Sequence, residues 1–304
     1  MRRFLLAIAI AGGLTACRHE TTTGSIRLDP DLASLVPADT LFIMAADVDS
    51  IRNTSVYQKH IGIVDLPRLN EFTQKTGVDP RKDLSEVLST SNGKAGVFMA
   101  RGQFHTSDLE ARLEKEGAAR FEYKGRKLFG DDKNAVTFLD SPAALAGSTS
   151  VLKSIVDERN RARHGLPTAL ADRVRTIHAG SQIWVAFIGG VQGLKVTAPE
   201  GSNLAAAIGL LQGIDNAALG MDLRNGFDLN GDAVCKSEEN AKQLRLALKA
   251  VIGLGRLSTP DSQPDLLKMY DAIQVDQAQT KVIVTAHVPP ELVDRFVDLW
   301  VKKR

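Results

Sequence analysis

Ala217-Ala218-Leu219-Gly220-Met221-Asp222-Leu223-Arg224-Asn225-Gly226-Phe227-Asp228-Leu229-Asn230-Gly231-Asp232-Ala233-Val234-Cys235 is the stretch whose reading decides the fold. It predicts two strands, 217–223 and 226–235, with Phe227, Leu229 and Ala233 alternating onto one face as a half-buried strand requires. A helix over 238–251 follows, then a shorter one over 264–270, two strands over 273–277 and 281–287, and a closing helix over 291–303. Pro289-Pro290 and Glu291 at the start of that last helix, with Lys302, Lys303 and Arg304 at its end, suit the helix dipole.

Working back toward the N-terminus, the same grammar recurs. The apolar run over 41–46 predicts a buried strand after the turn Val36-Pro37-Ala38-Asp39-Thr40. Helices are expected over 49–61 and over 67–76, the latter stopped by Gly77, with a short helical piece over 83–88. Asn92-Gly93 introduces a strand over 95–100. Ser107-Asp108-Leu109-Glu110 has the capping-box pattern, with Leu109 and Leu113 one turn apart and Gly117 closing the helix. Strands over 119–123, 126–129, 135–139 and 143–146 form a meander, followed by helices over 149–158 and 169–177 and a strand over 182–188.

Gly189, Gly190, Gly193, Pro199 and Gly201 make the strongest break in the chain. The expected fold is therefore α+β in two similar halves, 36–190 and 191–304, each a mainly antiparallel sheet with helices packed on one face. A strand followed by a capped helix recurs in both halves, as an internal duplication would leave it. After the break, a helix over 204–214 is apolar nearly all round and suits the core, or else a groove that meets a lipid or partner helix.

The first residues carry an address. Arg2 and Arg3 precede an apolar run over 4–14, about half the ~20 residues that cross a bilayer, so 1–16 reads as an export signal. Its end, Leu14-Thr15-Ala16-Cys17, resembles the lipobox of bacterial lipoproteins. The resemblance implies a diacylglycerol thioether on Cys17, cleavage before it and acylation of its amine, palmitate being the usual chain; several chains anchor stably where one does not. In such lipoproteins the next residue directs sorting, and Arg18 in place of aspartate implies the outer membrane, facing the periplasm. The polar stretch 17–35 reads as a flexible tether.

Composition narrows the function. The chain has 304 residues, 43% hydrophobic and 24% charged, which is an ordinary globular balance. Lys+Arg 38 against Asp+Glu 36 falls to equality once Arg2 and Arg3 are removed, so nothing global favours nucleic acid. Phe 11, Tyr 3 and Trp 2 are few for a stacking surface. With Cys17 acylated, Cys235 is the one remaining thiol, and its strand setting predicts burial.

Leu35-Val36-Pro37-Ala38-Asp39-Thr40-Leu41, Asp47-Val48-Asp49, the stretch from Thr76 through Leu84, and Gly255-Arg256-Leu257-Ser258 resemble a family of uncharacterised exported bacterial proteins. That resemblance implies an address and a fold, and no activity.

Candidate chemistry is sparse. Ser150-Val151-Leu152-Lys153 matches the Ser-x-x-Lys of penicillin-binding enzymes, but Lys75-Thr76-Gly77 precedes it where that family's order places it after. An envelope hydrolase using Ser150 and Lys153 is the weakest of three readings. The spacing from Asp228 to Glu239 imitates a calcium loop with Ala233 where the turn glycine belongs. His19, His60, His105, His164, His178 and His287 have no zinc spacing, so no metal and no cofactor is expected. Arg159, Arg161, Arg163, Arg173 and Arg175, with His164 and His178, could form a patch for an anion or an acidic partner. The expected function is a non-enzymatic, lipid-anchored binding or scaffold component of the cell envelope with an envelope protein as partner; the alternative is a carrier of a hydrophobic ligand between the two halves.

Overall fold

The computed structural model describes residues 26, 28–62, 66–103, 105–139, 143–158, 165–190 and 211–302. Twelve strands form one sheet: β1 Phe42–Asp47, β2 Leu84–Ser91, β3 Gly96–Gly102, β4 Arg120–Tyr123, β5 Arg126–Gly130, β6 Asn134–Phe138, β7 Ala143–Ser148, β8 Ile183–Phe187, β9 Ile214–Asp222, β10 Phe227–Cys235, β11 Ile273–Ala278 and β12 Lys281–Val288. The helices are α1 Pro30–Ala33, α2 Val48–Arg52, α3 Ser55–His60, α4 Pro67–Thr76, α5 Pro80–Asp83, α6 Thr106–Lys115, α7 Thr149–Glu158, α8 Thr168–Val174, α9 Glu238–Leu257, α10 Pro264–Asp271 and α11 Pro290–Lys302. The α+β class with antiparallel pairing read from the alternating pattern is the class observed.

The sheet order is β11-β12-β10-β9-β8-β1-β2-β3-β7-β6-β5-β4. The strands of the two halves thus join in a single sheet. The seam is β8 against β9, with Val185 opposite Leu219, because β8 already pairs β1 on its other side and its free edge takes β9. Both halves share a path: the hairpin β2–β3, α6, then the meander β4–β7 with β7 returning beside β3, and the hairpin β9–β10, α9 and α10, then the shorter β11–β12 with β12 returning beside β10. The outer strands β4 and β11 carry Arg120, Glu122, Gln274 and Asp276, polar residues that discourage further pairing.

Successive residues on a strand point to opposite faces. One row, Trp184–Ala45–Leu88–Met99–Leu145, lies on the first face. There it packs in one core with Leu32 of α1, Leu152 and Ile155 of α7, and Leu170 and Val174 of α8. The parallel row Val284–Gly231–Leu219–Val185–Met44–Ser89–Phe98–Ala146 lies on the second face. That face is covered by α9, through Ala241 and Leu244, and by α6, through Leu109 against Val78, Leu84 and Ala100. The helices of the N-terminal half therefore divide between the faces rather than keeping to one. The reason is visible in β3, where Val97 and Met99 on one side and Phe98 and Ala100 on the other are all apolar and both sides need cover. In the C-terminal half β10 turns Asp228, Asn230 and Asp232 to the first face, and one covered face suffices.

Four further expectations change. The piece expected to be helical over 83–88 is the start of β2: Pro80 opens α5, Asp79 caps it, and it ends at Asp83. The spacing of Leu84 and Leu88 imitates a helix because a bulge between Leu84 and Glu86 turns them into opposite cores. In α6 the cap position is His105 without a side-chain bond, and Glu110 binds Lys127 at 2.9 Å instead of closing a capping box. The helix expected to end at 251 continues to Leu257, past Gly253 and Gly255; the Tyr270 ring packs on Gly255, its Cε1 2.6 Å from where a Cβ on that glycine would stand. Finally, part of the stretch read as tether is folded: Asp29 caps α1, Leu32 is fully buried, and Arg101 binds Asp29 at 2.9 Å. Cys17 lies outside the described residues, as does most of the helix expected over 204–214. No helix among the described residues is long and apolar enough to cross a membrane.

Candidate functional site: an apolar cavity beneath α4 and α6

The second face holds a cavity of about 340 Å³ between the sheet and the helix pair α4 and α6. Sequence places each wall. Pro67 starts α4, and Gly77, at φ +77, ends it in the left-handed conformation while donating to the Thr73 carbonyl at 2.7 Å. Leu109 docks α6 against Val78, Leu84 and Ala100. The sheet beneath is made of small residues, Ala100, Ala144 and Ala146, in register with one another and with Phe98. Their short side chains leave the space that the helices do not fill. Phe72 and Phe98 lie at the cavity and are 45% and 42% exposed, so its apolar wall reaches solvent.

The mouth is polar. Lys75, Arg112 and Glu116 line it. Lys75 donates to Glu71 at 2.6 Å, and that hydrogen bond holds its ammonium above the ordinary lysine value. Arg112 has no carboxylate partner among the described residues. Its guanidinium carbon lies 2.8 Å from where a Cβ on Gly77 would stand, so the cation rests on the C-terminal end of α4, the negative pole of that helix. A concave apolar volume of this size, with a cation at its entrance, has the dimensions and chemistry of a small-molecule site. It offers desolvation to an apolar chain and a cationic partner, Arg112, to an anion.

A second apolar cavity, about 290 Å³, lies on the same face at the seam of the halves, with Val185 and Phe187 of β8, Leu219 of β9, and Leu244 and Leu248 of α9 in its walls. This is the place between the halves where a hydrophobic ligand was expected; the larger cavity with the cationic rim lies wholly within the N-terminal half.

The other residues singled out by sequence are not brought together. Arg173 binds Asp232 on β10 at 2.8 Å with both side chains largely buried, and Arg175 pairs with its neighbour Asp172. Arg159, Arg161, Arg163 and His164 lie outside the described residues. Ser150 is exposed on α7, whereas the Lys153 ammonium lies 5.3 Å from the centre of the Tyr123 ring and 5.7 Å from that of Phe121. Asp228 meets the His287 ring at 2.5 Å, and Asp232 is bound by Arg173 and Lys281, so the two aspartates of the calcium-like spacing already have partners. Cys235 is buried, and burial pushes its thiol up. Sequence reading missed Phe98, Ala146 and Arg112; the signal was the run Ala143-Ala144-Leu145-Ala146-Gly147, a strand too small to fill the space beside it.

No protein-family model matches the chain, and no curated protein matches it. Among solved structures, crystal form III of TP0453 is similar to it over 90% of this chain and 99% of that one, with 10% identity and a TM-score of 0.53. Crystal form I covers 92% and 99% at a TM-score of 0.46, and form IV covers 90% and 97% at 0.48, each with 10% identity. At that identity the likeness of form III is one of fold alone.

Proposed function

We propose that this chain is a non-enzymatic, lipid-anchored component of the bacterial cell envelope that binds an amphiphile in the cavity beneath α4 and α6. The observation that carries the reading is that cavity: apolar walls of Phe98, Leu109, Phe138 and Ala146, with Arg112 at its mouth and no carboxylate partner for it among the described residues. The ligand is an apolar chain bearing a carboxylate or phosphate, its tail against the sheet and its anion on Arg112. The address rests on the apolar leader and on Leu14-Thr15-Ala16-Cys17, with Arg18 favouring the outer membrane and its periplasmic side. Chains on Cys17 would hold the binding domain at the source of such ligands.

The test is organic extraction of the protein purified from its membrane without delipidation, followed by mass spectrometry, beside thermal melting with added long-chain carboxylates. A co-purifying amphiphile near one per chain, and a melting temperature that rises with carboxylate concentration, are expected. An empty extract together with an unmoved melting temperature would overturn the reading.

A further inference from the structure

α9 has two apolar strips, and among the described residues only one is covered. Ala241 and Leu244 are buried against the sheet with Leu248 and Ile252 beside them. At 100° per residue, Leu246, Ala250, Gly253, Leu254 and Leu257 fall on the opposite side of the helix. Leu246 is 50%, Leu254 64% and Leu257 84% exposed, with Val251 at 68% on the flank. A helix covering a sheet in water ordinarily turns polar residues outward. Beyond the first turn, which holds Glu238 and Glu239, the charged residues that accompany the strip are of one sign. Lys242, Arg245, Lys249 and Arg256 lie along it, and no acidic residue occurs from 240 to 257. Arg256 is held by Asp271 at 2.7 Å, whereas Lys242, Arg245 and Lys249 have no carboxylate partner among the described residues.

We propose that this outward strip of α9 docks on an anionic lipid surface, the leucines entering the boundary of headgroups and acyl chains while Lys242, Arg245 and Lys249 meet the headgroup phosphates. Leucine on one strip with lysine and arginine along its border is the composition of helices that lie in a membrane interface. Lys242, Arg245 and Lys249, with no carboxylate partner among the described residues, supply the charge complementarity that selects an anionic lipid over a protein partner or a second copy. The inference draws on the anchored reading only for the closeness of a membrane, and its test removes the anchor.

The full chain carrying Cys17→Ser is floated with vesicles of phosphatidylcholine alone and of phosphatidylcholine with phosphatidylglycerol. Its apolar leader is common to every variant, so the differences between variants report on α9. The parent is expected to partition more strongly to the anionic vesicles and to lose most of that excess at high salt. Leu254→Glu with Leu257→Glu is expected to lower the partition about tenfold on anionic vesicles, and Lys242→Glu with Lys249→Glu to abolish the preference for them. These side chains are exposed, so the melting temperature is expected to stay within a few degrees of the parent's. Equal flotation of parent and leucine variant, or a charge variant that keeps its preference for anionic vesicles, would overturn the proposal. So would a dimer in sedimentation that Leu254→Glu dissolves, which would assign the strip to a second copy of the chain. Cavity residues are untouched in every arm, so these results stand apart from ligand binding beneath α4 and α6.

Discussion

Ala146 and Gly77 show how single residues set the site. Ala146 leaves room against Phe98, and Gly77 takes a left-handed turn that also makes room for the Arg112 guanidinium. Gly77→Ala brings a Cβ against that guanidinium at a φ that side chains avoid, and is expected to cost more than about 1 kcal/mol in urea unfolding. Leu88→Ala empties a fully buried position in the main core and is expected to cost about 2–5 kcal/mol. Cys235 is buried with its thiol pushed up, so a thiol reagent is expected to label it only in unfolded protein; fast labelling of the native chain would contradict its placement. Gly77 was legible in the sequence as a helix stop, because glycine is what that conformation needs. Arg112 was not, since nothing local marks which exposed arginine will meet a distant helix end.

At the scale of elements, local chemistry was read well where it acts alone. The helix from Pro67 to Thr76, the helix from Thr149 to Glu158 and the successive antiparallel strands carry their own periods and punctuation. Reading failed where tertiary contacts override a local signal. The bulge at the start of β2 made a strand look helical, the bond from Lys127 drew Glu110 away from a cap, and Tyr270 packed over Gly255 kept α9 going. The turn between β9 and β10 contains Gly226 at φ +103, where a Cβ would lie 2.2 Å from the Val288 carbonyl oxygen. Gly226→Ala is therefore expected to lower the melting temperature by several degrees, more than substitution of the neighbouring Asn225.

Across the whole molecule, the halves legible in the sequence are a repeated strand path, and the sheet that joins them was not legible because pairing of β8 with β9 depends on edges far from any local signal. Asp294 of α11 adds a second long-range tie, accepting from Lys59 at 2.7 Å and meeting His60 of α3 at 2.8 Å. The hydrogen bond from Lys59, then that from His60, holds its carboxyl below the ordinary value. A carboxyl lowered on folding stabilises above its unfolded pKa of about 4, and that stabilisation is lost as pH falls through the folded value. The stability gap between the parent chain and Asp294→Asn is accordingly expected to be full near neutral pH and to shrink as pH falls below about 4. A gap that stays constant down to strongly acidic pH would contradict the tie.

The most direct test of the binding site is a fluorescence titration of the protein with a single-chain probe carrying a carboxylate and with its neutral alcohol counterpart, against the parent chain, Ala146→Leu and Arg112→Gln. Ala146→Leu fills the cavity with apolar atoms and is expected to leave folding intact while weakening both probes about tenfold or more. Arg112→Gln is expected to weaken the carboxylate probe and spare the alcohol. Binding of both probes that neither substitution changes would place the ligand elsewhere and contradict the assignment of this cavity.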